Sequence, residues 1–559
     1  MHQFFHRFLR RLHLPVFWFP ICLYFLFGLQ YFQANMGGAG TDLPINLVGW
    51  ICIGLTLSIG LWQLNQRKKL KINRQLLAIG LCFLTLYIPF LYGNSAPQAS
   101  TWYRFLAIPL LFALTLLSLQ YRLTRRSQNT IIGVIFLSSC AQLSIAIYQL
   151  LSPQHAFEPF GHFQQTNLMG SYLVTGYACL IYLISQLSLN TKHWFRWIMP
   201  NLLIVAFLMG FMTLELHSRG TQLSALLVSL LALIFSFRQK KPMVFIAVIS
   251  FFIGLMAQFS LHNAKEQQNN SAALLAPYQQ DYDREILYPQ TLELIKNNFF
   301  TGVGYGNFES AYTLLSVNSA AKANTPDDIR YNMDHPHNEG LFWFAEGGVL
   351  AGLSVLTLLS LLIYGLTRQQ RHSAWLAWSL IIPIGTHSLT EYPLHASVAH
   401  LLVMLTFIRL FILKQTPDKT YTIPDSVSVL LRPISLIITL IITAFGVTGL
   451  HTISLVLEYE LSGGRSPEPY LKIINPLVHY DRYWSNIMAH KAIAAANTND
   501  REGMLEYIRW AQKEIKHHPK QIYFENSIRL KHHLGILENA DCAQYELYFP
   551  KKKCAELTH

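Results

Sequence analysis

"LPINLVGWICIGLTLSIGLWQLNQRKKLK", residues 43–71, decides what kind of chain this is. Residues 43–63 carry no charge and match the roughly 20 residues a helix needs to cross a bilayer core. Arg67, Lys68, Lys69 and Lys71 then follow almost at once. An apolar run closed by a basic cluster reads as a membrane span ending on the side where lysine and arginine collect.

The same unit recurs along the chain. About thirteen apolar runs are long enough to span, at roughly 15–33, 43–63, 75–93, 102–120, 130–151, 167–188, 197–215, 221–237, 243–261, 340–366, 374–389, 396–413 and 433–457. Composition agrees: of 559 residues, 52% are hydrophobic and 13% charged, with a mean hydropathy of +0.28. That balance excludes an ordinary soluble domain. The net charge of +13 is scattered in short clusters between apolar runs, so it signals topology and argues against nucleic acid as a partner. The first run is too long for a signal-peptide core and has no small-residue cleavage site after it, so it is expected to be an uncleaved anchor.

Arg7, Arg10 and Arg11 precede the first run. Basic residues follow the second (Arg67 to Lys71), fourth (Arg122, Arg125, Arg126), sixth (Lys192, Arg196), eighth (Arg238, Lys240, Lys241), tenth (Arg368, Arg371) and twelfth (Lys414, Lys419). The short odd-numbered exits hold essentially one, Arg219. The positive-inside rule puts the N-terminus in the cytoplasm and the C-terminal tail outside. The expected fold is an all-α polytopic membrane protein. Residues 1–457 form its transmembrane domain, with a large outside loop at about 262–339, and 458–559 form a periplasmic α-helical domain. In that tail, "REGMLEYIRWAQKEIKHHP" and "QIYFENSIRLKHHLGIL" repeat apolar residues at three- and four-residue steps, which predicts amphipathic helices packed on one another. Five of the seven cysteines lie in apolar runs as small buried hydrophobes. Cys542 and Cys554 lie in the tail, where an outside compartment permits a disulfide.

Five polar stretches fall on the outside face. "EPFGHFQQTNLMGSYL" (158–173) puts Gln164, Gln165 and Asn167 at a helix mouth, with Asn167 also suited to capping. "HSRGTQ" (217–222) holds Arg219, whose position against the charge bias suggests an anionic partner. "DREILYPQTLELIKNNFFTGVGYGNF" (283–308) offers Arg284 and a glycine turn. That turn lacks the Lys-Ser/Thr ending of a nucleotide loop, so its glycines are read as backbone-conformation residues. "RYNMDHPHNEG" (330–340) gathers Asp334, His335, His337, Asn338 and Glu339, and "HSLTEYPLH" (387–395) supplies Glu391, Tyr392 and His395. Three chemistries suit the histidine stretch. In extended backbone His335 and His337 point the same way and could bind a metal with Asp334 or Glu339. The polar residues could instead cap a helix. Or a histidine accepts the proton of an attacking hydroxyl while arginines hold a phosphate leaving group.

In order, these stretches resemble the PglL-type bacterial O-oligosaccharyltransferases of the O-antigen ligase and polymerase superfamily. The G-x-F-x-Q-x-N element is Gly161 to Asn167, S-R-G is Ser218 to Gly220, and an arginine upstream of G-V-G-x-G-N-F is Arg284 before Gly302 to Phe308. H-x-H-N is His335 to Asn338 and E-Y-P-L is Glu391 to Leu394. His162, Gln164 and Thr166 stand where asparagine, glycine and proline are usual in the family pattern. The resemblance implies a metal-independent glycosyltransferase of the bacterial inner membrane that needs no cofactor, with its active site in the periplasm. It would move a preassembled oligosaccharide from an undecaprenyl-pyrophosphate carrier to a Ser or Thr hydroxyl of a periplasmic protein such as a pilin, amid membrane lipids. It assigns His337 to catalysis and Arg219 and Arg284 to the donor pyrophosphate. Gln165, Asn167, His335, Asn338, Glu391 and Tyr392 would bind glycan or acceptor. Two alternatives stand beside it: an O-antigen ligase or polymerase acting on a sugar hydroxyl, and a lipid-linked glycan transporter. A transporter predicts charges near the bilayer midplane.

Overall fold

The computed structural model describes residues 14–92, 94–96, 99–152, 159–187, 192–268, 279–368, 371–413 and 417–558. Arg7, Arg10, Arg11 and Lys414 of the charge pattern lie outside them. The protein is an all-α polytopic membrane protein. Among the described residues ten helices are long and apolar enough to cross a membrane: Pro44–Arg67, Arg74–Tyr92, Thr101–Ser118, Arg125–Leu151, Thr166–Gln186, Trp197–Glu215, Arg219–Gln239, Pro242–His262, Glu339–Thr367 and Asp425–Leu461. The three remaining apolar runs form helices outside that set. The first is Phe19–Leu26 flanked by 3-10 turns, the eleventh is Arg371–Ser388, and the twelfth is Val398–Phe407 continued by a π turn to Ile412.

The chain divides into two units. The first holds residues 1–82, 109–273 and 357–451, the second 83–108, 274–356 and 452–559.

At the centre of the first unit lies the Thr166–Gln186 helix, 94% buried along its apolar window. It packs against the Arg125–Leu151, Lys192–Glu215, Arg219–Gln239 and Arg371–Ser388 helices. Between spans there is no water to expel, so close packing of small residues does the holding. A Cβ at Gly176 would sit 2.0 Å from Ser139 Oγ, and one at Gly170 would sit 2.3 Å from Thr221 Oγ1. The tightest pair is Lys192–Glu215 against Pro242–Gln268. There a Cβ on Gly210 would lie 1.9 Å from the Phe251 carbonyl oxygen, and one on Gly254 would lie 1.9 Å from that of Phe207. Backbone cannot yield as a side chain can. Gly210→Ala should therefore cost about 1–3 kcal/mol or more and lower the melting midpoint in detergent. Gly385→Ala, with nothing within 4 Å, should leave that midpoint in place.

At the start of the twelfth run the helix breaks at Ser397, between the short Pro393–Ala396 helix and the Val398–Phe407 helix. Asn46 bridges the gap: its Nδ2 donates to Ala396 O (2.8 Å), and Val398 N donates to its Oδ1 (2.9 Å). Buried backbone away from water has to be satisfied this way. Two four-residue strands, Lys69–Ile72 and Lys419–Thr422, pair antiparallel with Lys69 opposite Thr422. They lie in the basic connectors after the second and twelfth apolar runs, so both connectors share one face of this unit.

In the second unit the glycine turn 302–306 wraps a break in the Glu339–Thr367 helix at Gly348 (φ 65°, ψ −159°). Val303 N donates to Ala345 O, Gly304 N to Glu346 O and Val349 N to Phe299 O, at 2.8–2.9 Å. Gly302, Gly304 and Gly306 all have positive φ, and a Cβ at Gly302 would lie 2.3 Å from Glu346 O. The glycines serve backbone conformation, as their lack of a nucleotide-loop ending indicates.

The tail folds as successive helices Tyr480–Thr498, Arg501–Ile515, Gln521–His533 and Asn539–Tyr548. The apolar stripes of its amphipathic segments meet around Met488, Met504, Tyr507, Ala511 and Tyr523. Cys542 and Cys554 form a disulfide with Cα atoms 5.3 Å apart. The tail grips the preceding loop of the same unit. Tyr331 donates to Tyr548 O (2.7 Å) and stacks on Phe549, Lys551 pairs with Asp327, and His518 Nδ1 bonds Glu309. Burial works against protonation of His518, but the hydrogen bond to Glu309 and the charges of Asp481 and Glu309 raise its pKa above the ordinary 6.5. A raised folded value means that this contact stabilises fully below about pH 6.5 and is lost as pH climbs through the folded value. Amide exchange across 501–533 should therefore be slower at pH 6 than at pH 8.5, after correction for intrinsic rates. His518→Gln should flatten the difference.

Candidate functional site

The stretch 330–340 leads into the Glu339–Thr367 helix. Asn338 Oδ1 accepts from Leu341 N (3.0 Å), so one atom of a residue read for ligand binding is committed to the helix start. His335 is buried and its Nδ1 lies 2.5 Å from Asp334 Oδ1. With Nδ1–H donating to that carboxylate, the ring is oriented and Nε2 is left as the acceptor. Desolvation opposes the Asp334 charge, but the hydrogen bond from His335 and the fields of His335 and His337 hold its pKa below the usual value. Its side chain is 66% exposed, so water screens part of that effect.

The rings of His335 and His337 lie side by side, centroids 4.4 Å apart. The expectation that both point one way holds, but not through extended backbone: His337 has φ 48°. A non-glycine residue in the left-handed region costs roughly 1–2 kcal/mol, and such strain collects at functional sites. The pair could also offer two imidazoles to a metal, half the usual zinc set. Tyr288, on the Gln279–Asn297 helix, donates to His337 O (3.2 Å). Arg284 lies four residues earlier, on the same helix face as Tyr288. Pro289 is accommodated inside that helix. The second unit thus brings His335, His337 and Asn338 together beside the helix that carries Arg284.

In the first unit the other three stretches meet. Gln165 occupies the position before the Thr166–Gln186 helix but makes no side-chain cap bond, and Asn167 lies inside the first turn instead of capping it. His162 donates its backbone N–H to Gln142 Oε1 (3.0 Å), and its ring Nδ1 lies 3.2 Å from Leu29 O, which makes it a structural residue. Arg219, exposed, opens the Arg219–Gln239 helix. Ser218 caps that helix, accepting from Thr221 N (3.4 Å) and Thr221 Oγ1 (2.9 Å). A cation at a helix N-terminus, where the dipole also favours anions, suits a phosphate. Gly170 lies against Thr221, and the Cβ position of Gly220 is 3.1 Å from Thr390 Oγ1. These contacts set the Gln165–Asn167 mouth, Arg219 and the Glu391–Tyr392 turn side by side. Glu391 is buried and its N–H donates to His387 O (2.8 Å), while Tyr392 is half-buried.

Two buried polar constellations escaped the sequence reading. In the first unit Ser171 Oγ lies 2.7 Å from His387 Nδ1 and 2.9 Å from His400 Nε2. In the second, Arg104 is paired with Glu346, their side chains 3% and 2% exposed. Arg104 also lies 4.3 Å from the Phe342 ring centre and 5.4 Å from those of Tyr305 and Trp343. The signal for both was available: ionisable residues inside apolar runs, which are rare without a partner or a function.

Two family models match the chain. The one described as "O-Antigen ligase" covers residues 204–356, and the one described as "Virulence factor membrane-bound polymerase, C-terminal" covers 375–557. A General O-oligosaccharyltransferase of Acinetobacter baylyi (strain ATCC 33305 / BD413 / ADP1) is 24% identical over 286 residues. That alignment covers 49% of this chain and 47% of the relative, so the match spans about half the relative's length.

Proposed function

Because the chain belongs to the O-antigen ligase superfamily, we propose that it transfers a preassembled oligosaccharide from undecaprenyl pyrophosphate to a Ser or Thr hydroxyl of a periplasmic protein such as a pilin. The reading places the enzyme in the inner membrane, with its N-terminus in the cytoplasm and its site and tail in the periplasm. The carrying observation is the loop 334–338, where a strained His337 lies against an oriented His335–Asp334 pair and under the helix of Arg284.

In the step, the acceptor oxygen forms a bond to the sugar's anomeric carbon as the bond from that carbon to the phosphate oxygen breaks. The hydroxyl proton passes to His337. Undecaprenyl pyrophosphate leaves with an additional negative charge, and Arg219 and Arg284 are assigned to stabilise it. His335, Asn338, Gln165, Asn167, Glu391 and Tyr392 are assigned to glycan or acceptor, and no metal or cofactor takes part. The polyprenyl tail explains why such chemistry belongs at the membrane surface.

The descriptions of the two family models favour a second reading, in which the acceptor is a sugar hydroxyl and the product a glycolipid or longer polymer. Both readings are tested in cells supplied with a lipid-linked glycan and a co-expressed pilin. A glycan-sized gain in the pilin's intact mass supports protein glycosylation. Glycan on the lipid A core, or longer polymer with the pilin unmodified, supports the second reading.

A further inference from the structure

Residues 462–479 join the Asp425–Leu461 helix to the Tyr480–Thr498 helix, and this junction lies within the second unit. It runs back down the helix it has just left. Tyr470 is buried against Tyr459, ring centres 4.4 Å apart, and Thr452 Oγ1 donates to Asn475 O (3.0 Å). Tyr459 and Thr452 are two turns apart, so between Tyr470 and Asn475 the loop descends about 10 Å along the helix axis. Thr452 belongs to the apolar run 433–457. Counting the roughly 20 residues of a bilayer core from Pro433 ends at Thr452. The bottom of the loop is therefore held at the hydrocarbon boundary.

The loop turns its polar backbone inward and its apolar side chains outward. Asn475 and Val478 are buried, whereas Leu471 is 73% exposed, Ile474 71%, and Leu477 is exposed beside them. Large apolar side chains clustered in one short stretch mark a contact with something apolar. Lys472 stands among them, exposed and paired with Glu468 (2.8 Å). A lysine there suits a headgroup layer, with its aliphatic stem toward hydrocarbon and its ammonium toward water. The other polar contacts of the junction sit higher on the helix. Arg482 pairs with Glu460 (2.9 Å), and the Tyr459 hydroxyl bonds His490 Nε2 (2.8 Å). Polarity thus falls along the axis on which the loop descends, the order met on entering a bilayer.

The geometry points to an interfacial anchor. Leu471, Ile474 and Leu477 insert among the acyl chains of the leaflet on the tail's side and hold the tail to the membrane surface. The partner is the phospholipid bilayer, met by apolar insertion with no headgroup selected.

The test uses the full-length chain in nanodiscs of phosphatidylcholine, a fraction of which carries a diazirine on its acyl chain. After irradiation and trypsin digestion, lipid adducts are mapped by mass spectrometry. Peptide 473–482 should carry adducts, as the span peptide 420–465 does. Peptide 492–501 should not, although Ile493 is also exposed. It follows His490, which is held at the level of Tyr459 and so about 10 Å farther out. Ile474→Gln puts an amide in hydrocarbon and should lower the yield on 473–482 about tenfold. The side chain is exposed, so the variant should keep the wild-type thermal midpoint in detergent. Adducts on the span peptide with none on 473–482 overturn the proposal, as does equal labelling of 473–482 and 492–501. An unlabelled 473–482 together with a dimer mass that Ile474→Gln abolishes also overturns it and makes a second copy of the chain the occupant.

Discussion

His337→Ala should reduce glycan transfer by about 10²-fold or more, the usual contribution of a positioned general base, with little change in thermal midpoint. The stability half follows from the backbone. His337 has φ 48°, a conformation that disfavours alanine as it does histidine, so the substitution exchanges one strained residue for another. Its backbone carbonyl still accepts from Tyr288. His337→Asn sharpens the result, because asparagine tolerates the left-handed region and keeps hydrogen-bonding capacity but cannot take up a proton near neutral pH. Both variants should accumulate at wild-type levels and leave the acceptor's intact mass unmodified. If asparagine retained more than a tenth of wild-type transfer, His337 would be an anchor for the acceptor and the base would have to be sought elsewhere.

Glu346→Ala should destabilise the second unit by about 3–5 kcal/mol, the cost of removing one partner from a buried ion pair. Three losses coincide. Arg104 becomes an uncompensated buried cation, and Gly306 N and Phe308 N lose the acceptor Glu346 Oε1, at 3.0 and 3.3 Å. The glycine turn then has only its backbone bonds to the helix. Glu346→Gln keeps an acceptor but not the charge, so it should fall between wild type and alanine. Replacing both partners, Arg104→Met with Glu346→Met, should recover much of the loss, since an apolar pair leaves no orphan charge. Thermal midpoints of the four proteins in one detergent check the order. A double variant no better than Glu346→Ala would mean that the hydrogen bonds to the turn outweigh the charge.

Much of the fold was legible because a membrane span is a one-dimensional signal of length and polarity, and the helices of the tail show in their three- and four-residue steps. What the sequence could not show depends on partners far along the chain. The break at Ser397, at the start of an apolar run, leaves backbone groups that Asn46 satisfies from 350 residues before Ala396. The strand pair has four residues on each side in charged connectors, too short for a period-2 pattern. Arg104 and Glu346 are 242 residues apart. At the candidate site, residue types allowed both readings of Asn338, and geometry commits its Oδ1 to the helix start. The left-handed turn at His337 had no signal, since no glycine marks it.

The strand pair also bears on how many times the chain crosses the bilayer. Lys69 and Thr422 are hydrogen-bonded neighbours, so the polypeptide between them begins and ends on one side and must cross an even number of times. Eight of the long apolar helices lie within that interval. If all eight cross, the two remaining apolar helices there, Arg371–Ser388 and the one beginning at Val398, either both traverse the membrane or both turn back within it. An odd number of crossings between the two strands is ruled out by parity.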